Sequence, residues 1–130
     1  MYIVGELINA SRKRIGSAIG DRDNNYIKEI AMQQDRAGAD FIDVNAGIFE
    51  EQEAEHLQWL VENVQSATEK PCCIDSPDPK AIEAALKAHQ GPVPMINSVS
   101  LEKNRWNNLL PIITGSDLRV VALCMSDEGM

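Results

Sequence analysis

Five short β-prone runs alternate with longer helical patterns along the chain, and that alternation restricts the fold more than any other feature. The runs are Tyr2–Gly5, Asp40–Asn45, Cys72–Asp75, Pro94–Ser98 and Leu118–Met125. They are mostly apolar and do not alternate apolar with polar. Strands of a parallel sheet with both faces covered have this texture. A first helix is expected from about Asp23, its N-cap, to Ala37, with Ile27, Ile30 and Ala31 on one face and Gly38 at a left-handed C-terminal position. A second is expected from about Glu50 to Ala67, where Ala54, Leu57, Leu60, Val61 and Val64 keep a helical period. The third starts at the cap Asp78 with Pro79 in the first helical position, buries Ile82, Ala85 and Leu86, and ends at Gly91. The fourth is expected from about Leu101 to Ile113, capped by Ser100. The order β-α-β-α-β-α-β-α-β leaves two architectures: an open doubly wound sheet, or a curved run of strands belonging to a barrel. Periodicity alone does not choose between them.

The 130 residues suffice for one domain with a core. A complete (β/α)8 barrel needs roughly 200 to 250. The formal net charge of −8 disfavours nucleic acid as a partner, because no basic stripe offsets it. Arg12, Lys13 and Arg14 form the one dense basic cluster, read either as a solvated loop or as a contact to an anionic substrate tail. Cys72, Cys73 and Cys124 lie in apolar runs without metal-ligand spacing, so they read as small hydrophobes in a reducing compartment. Glu6 interrupts the N-terminal apolar run, and no stretch reaches the ~18 apolar residues of a membrane span. A cytoplasmic protein with no membrane partner is expected.

Polar residues fall where the strands end. The first run leads to Gly5, Glu6 and Asn9; the second ends in Asp43 and Asn45, the third in Asp75 and Ser76, the fourth in Asn97 and Ser98. In both architectures the C-terminal strand ends form the ligand face. Carboxylates accept hydrogen bonds, while amides both donate and accept. Together they suit a flat heterocycle with N–H donors beside ring nitrogens and a carbonyl, as in a pterin. Asn9 and Asp43 could equally fix loop backbones, and Asp78 reads mainly as a helix cap. A metal at Asp43 and Asp75 is not expected, since no histidine lies near either. His56 and His89 read as ordinary helix residues, and Trp59 and Trp106 as packing. There is no Ser-His-Asp set, Cys-His pair, GxGxxG or P-loop lysine motif.

The segments Gly5-Glu6-Leu7-Ile8-Asn9, Asp43-Val44-Asn45, Ile74-Asp75-Ser76, Ala81-Ile82-Glu83-Ala84-Ala85-Leu86 and Ile96-Asn97-Ser98 occur in an order that resembles the pterin-binding methyltransferases. That family includes the methyltetrahydrofolate:corrinoid protein methyltransferases and the folate domain of cobalamin-dependent methionine synthase; dihydropteroate synthase is a more distant relative. The resemblance implies an α/β fold, namely the first half of a (β/α)8 TIM barrel of the dihydropteroate synthase-like type, with about five strands and four helices. It implies methyltetrahydrofolate as methyl donor, bound in the barrel mouth by Asp75 and Asn97. Asn9, Asp43, Asn45 and Ser98 would line or brace the same pocket. The N5 methyl group would pass to Co(I) of a corrinoid (cobalamin) carried by a partner protein.

Two departures stand out. Leu7 takes a place often held by a basic residue, and Pro77 stiffens the loop after Ser76. The resemblance also implies that residues 1–130 are the N-terminal part of a barrel domain truncated after the fifth strand. The residues nearest N5 come from later strands, so the catalytic residues are unknown and this chain alone is expected to be inactive. Open sheet edges predict association, as a homodimer or with the missing C-terminal half. The alternatives are a dihydropteroate synthase-like condensing enzyme and a non-catalytic pterin-binding half barrel.

Overall fold

The computed structural model describes residues 1–114 and 117–128. The five strands are β1 (Val4–Asn9), β2 (Phe41–Asn45), β3 (Cys72–Asp75), β4 (Met95–Leu101) and β5 (Arg119–Ser126). The helices are α1 (Lys13–Gly20), α2 (Asn24–Arg36), α3 (Glu53–Ala67), α4 (Pro79–Ala88) and α5 (Lys103–Ile113), with a 3-10 segment at Gly47–Gln52. All neighbouring strands are parallel, and the sheet order is β1-β2-β3-β4-β5. A doubly wound sheet reverses its strand order at a switch point. This sheet never does, so the architecture is a half-barrel rather than an open doubly wound sheet.

Side-chain alternation divides the strands into two faces. Ile8, Ile42, Val44, Cys72, Ile74 and Ile96 point to the helical layer and are fully buried there. They meet Ile15 and Ile19 of α1, Ile27 of α2, Leu57, Leu60 and Val61 of α3, and Ile82 and Ala85 of α4. Burying each of the isoleucine, leucine and valine side chains contributes about 1.5–3 kcal/mol. On the other face Phe41, Cys73 and Met95 form a smaller apolar floor, with Val4 and Val121 beside it.

The start of α2 at the Asp23 cap follows from the Asp23 carboxylate accepting the Tyr26 N–H at 3.1 Å. Asp78 caps α4 in the same way, accepting the Lys80 N–H at 3.0 Å. Four expectations need correcting. Strands β1 and β4 run on to Asn9 and Leu101, past Gly5 and Ser98, so Glu6, Asn97 and Ser98 lie within strands rather than at their ends. Helix α1 was not expected: its Lys-Arg-Ile-Gly-Ser-Ala-Ile-Gly run carries two glycines and little helical propensity. Gly16 is required there, because a Cβ would stand 2.7 Å from the Ala10 carbonyl oxygen. Helix α3 begins at Glu53 rather than Glu50, since Glu50 has φ 48 and kinks the chain inside the 3-10 segment that precedes the helix. Finally, Ser100 does not cap α5. It lies inside β4, the helix follows Glu102, and the Ser100 hydroxyl donates to the Glu102 carboxylate at 3.1 Å.

Candidate functional site

Strand register stacks the polar residues in two layers on the concave face. Asn9 pairs with Asn45, and Asp75 pairs with Asn97. Because Val44 pairs with Ile74, the next step along both strands places Asn45 beside Asp75. These four residues form the upper layer. One layer below, Asp43 pairs with Cys73, and Cys73 with Met95. The upper layer therefore rests on a carboxyl, a thiol and an apolar floor.

Asp43 is the most constrained of these groups. It is 2% exposed, and the Asn97 Nδ2 donates to its Oδ2 at 3.2 Å, spanning β3 to do so. The Cys73 thiol and the Asp75 carboxylate also face it. Burial pushes its pKa up to about 7, and the negative charge of Asp75 adds to the rise. Hydrogen bonds from Asn97 and Cys73 oppose that rise without cancelling it. The Asp43 carboxyl is therefore a much weaker acid than a solvated aspartate.

Asn9 and Asn45 play more local parts. The Asn9 Oδ1 accepts the Ser11 N–H at 2.9 Å and the Ser11 hydroxyl at 2.8 Å. The Asn45 Oδ1 accepts the Gly47 N–H at 2.9 Å. Each thus fixes the loop that leaves its own strand. Ser98 is buried at 7% exposure, after Asn97 in β4. Three of the six expected residues, Asp43, Asp75 and Asn97, come together as one cluster. Asn9 and Asn45 share the upper layer with Asp75 and Asn97, and Ser98 follows Asn97 in β4.

Several contributions escaped the sequence. Burial, and then the neighbouring Asp43, raise the Cys73 thiol, with smaller effects from Asp75 and Glu6. Ser76 is not free for a ligand: its hydroxyl donates to the buried Glu53 carboxylate at 2.7 Å and accepts the Asp78 N–H at 3.0 Å. That ties the β3–α4 loop to the start of α3. A serine after a strand gives no sign of such a partner 23 residues away.

The basic cluster disperses. Arg12 donates to the Leu7 carbonyl at 2.9 Å, while Arg14 pairs with Asp23 at 3.5 Å and lies 3.8 Å over the Tyr26 ring. His56 packs against Phe49, and the His89 Nε2 accepts the Cys72 N–H at 3.1 Å at the far end of the strands. An open hollow of about 440 Å³ also lies at that far end, lined by Gln65, Thr68, Glu69, Gln90, Gly91 and Pro92, away from the polar layers. No group of three or more potential metal ligands occurs among the described residues. None of their helices is long and apolar enough to cross a membrane.

A sequence-ordered parallel half-barrel with carboxylates and amides at its strand ends is the frame of a pterin-binding barrel. Residues 5–130 match the family of pterin binding enzymes, and the chain belongs to that family. Over 132 aligned residues it is 39% identical to a methylcorrinoid:tetrahydrofolate methyltransferase of Eubacterium limosum. The alignment takes in 100% of this chain and 48% of that relative, so the chain spans about half the length of the curated relative it matches.

Proposed function

We propose that this chain supplies the pterin-binding face of a methyltransferase that exchanges a methyl group between N5 of tetrahydrofolate and the cobalt of a corrinoid protein. The observation that carries this reading is the cluster of Asp43, Asp75 and Asn97, drawn from three adjacent strands of a pterin-binding fold. Its donor set fits the ring. Asp75 offers acceptors to the N–H groups of an aminopterin edge, and Asn97 offers both an acceptor and a donor. Asp43 holds Asn97 in place from below. Asn9 and Asn45 brace the rim loops, and Ser98 lines the wall. We further propose that residues 1–130 form the first part of the barrel domain and that its remaining strands cover the concave face.

When bound, the corrinoid supplies the cobalt that gives or takes the methyl group. The residues of this chain bind and orient the folate, which is where most of such catalysis lies. The proton that N5 takes before its methyl leaves is assigned to none of them. The relative's name writes the exchange from methylcorrinoid to tetrahydrofolate, the reverse of the direction implied by the sequence resemblance. Both directions pass through one transition state, so one set of ring-binding groups serves either. That name also favours methyl exchange over a condensing reaction.

Calorimetric titration with methyltetrahydrofolate and tetrahydrofolate tests the binding face. Replacing Asp75 by Ala removes a charged hydrogen-bond acceptor worth about 1.5–3 kcal/mol, so affinity falls by about 10- to 100-fold. An unchanged affinity in a folded Asp75→Ala chain rejects the assignment. With the barrel completed, visible absorption of the corrinoid follows methyl transfer in either direction.

A further inference from the structure

We infer that Gln34 of α2 and Arg12 of the first rim loop are positioning residues that clamp a bulge in β1 and so set the β1 side chains on the ligand face. The inference rests on the proposed pterin-binding reading of that face. Pairing of β1 with β2 runs Val4 to Phe41 and Gly5 to Ile42, then shifts and resumes as Ile8 to Val44 and Asn9 to Asn45. Two residues, Glu6 and Leu7, therefore stand opposite the single residue Asp43. Such bulges re-aim side chains beside active sites.

The extra residue has a definite effect. Gly5 turns toward α2, and Ile8 turns to the helical layer, where it is fully buried. In a regular strand those two positions would point to opposite faces, because they differ by three. The bulge absorbs one residue, so Ile8 stays in the core, Asn9 stays level with Asn45, and both Glu6 and Leu7 are left exposed.

A bulge releases backbone groups from the ladder, and these need partners. Gln34 is 6% exposed, and its Oε1 accepts the Leu7 N–H at 3.1 Å. Arg12 donates from Nη1 to the Leu7 carbonyl at 2.9 Å. One peptide unit on each side of Leu7 is thus held, from the helical layer and from the rim. Gly5 completes the device: a Cβ there would lie 2.4 Å from the Gln34 Oε1, so the glutamine reaches Leu7 only past a glycine. The Gln34 Nε2 is buried without a hydrogen-bond partner among the described residues. Gln34 is thus held for its acceptor, at a cost on its donor side.

The test uses Gln34→Met, which keeps shape and removes the acceptor, and Arg12→Met, which acts at the surface and leaves the core intact. Amide NMR of the 130-residue chain reads the register directly. We expect faster exchange of the Leu7 amide and weakened Ile8–Val44 and Asn9–Asn45 contacts in both variants, with Val4–Phe41 unchanged. Tetrahydrofolate affinity, measured by calorimetry on folded variants, falls by between about tenfold and about a hundredfold for Gln34→Met. Unchanged register contacts in both variants overturn the inference, as does an affinity within twofold of wild type in a folded Gln34→Met chain. If the wild-type chain fails to bind tetrahydrofolate, the proposed function fails, while the NMR comparison still decides the clamp.

Discussion

Replacing Asp43 by Asn makes the chain more stable at pH 8 than the wild type, with the gain vanishing in acid. An unfolded aspartate titrates near 3.9. In the folded chain burial, with Asp75 second, raises Asp43 to about 7. Between those values the native state holds a proton that the unfolded state has lost. Its contribution is fully present below about pH 4, declines as pH rises, and is gone above about pH 7. A rise from 3.8 to about 7, at about 1.4 kcal/mol per pH unit, sets a ceiling of roughly 4–5 kcal/mol. Exposure of only 2% means that little of this is screened by solvent. Asn does not titrate, yet its oxygen still accepts from Asn97 and its amide donates toward Asp75. The difference in unfolding free energy, variant minus wild type, should therefore grow by about 2–4 kcal/mol between pH 4 and pH 8. Urea titrations followed by tryptophan fluorescence at several pH values measure it. Using the difference matters because His56 and His89, both lowered by burial, act oppositely on the wild-type curve, where their contribution is lost as pH falls. A difference that stays flat with pH, or grows toward acid, refutes the reasoning.

Other outcomes follow from single contacts. Ser76→Ala takes a hydroxyl donor from the buried Glu53 carboxylate and should cost about 1.5–3 kcal/mol in urea unfolding, with tetrahydrofolate affinity little changed in the folded variant. Ile74→Ala, emptying a fully buried site against the helical layer, should cost about 2–5 kcal/mol. Cys72, pushed up to about 12 by burial, and Cys73, raised for the same first reason, should resist iodoacetamide at pH 8 in the folded chain. Peptide mapping should show both labelled once urea unfolds it; rapid native labelling of either contradicts their burial.

The fold was legible where local chemistry and long-range packing agree. Asp78-Pro79 announces a helix start, and α4 begins there because Pro79 fixes its own backbone and the Asp78 carboxylate reaches an N–H only two residues on. Cys72–Asp75 reads as a buried strand and is one, since its apolar residues are covered on both faces. Helix α1 was illegible for the opposite reason. Gly16 and Gly20 lower its intrinsic propensity, and the compensation comes from Ile15, Ala18 and Ile19 packing on partners the sequence does not name. The choice between open sheet and barrel depends on strand order, a property of pairings between segments and not of any one segment.

The site divides along the same line. That Asp43, Asp75 and Asn97 share a face follows from each standing next to a buried apolar residue in its strand, Ile42, Ile74 and Ile96, and they meet on the opposite face although only Asp75 ends its strand. What each does once there depends on depth in the sheet. Asp43 lies one layer below Asp75, so it loses water and turns into a support for Asn97, while Asn9 and Asn45, at the rim, turn their oxygens to their own loops. Depth is set by register, and register in β1 is set by one extra residue at Glu6–Leu7. The only local trace of that shift is Gly5, and a glycine near a strand has many causes. Gln34, which needs the glycine, looks like one more polar residue of an amphipathic helix. The bulge therefore sits where short-range pattern carries least information, although it decides which residues of the first strand reach the ligand face.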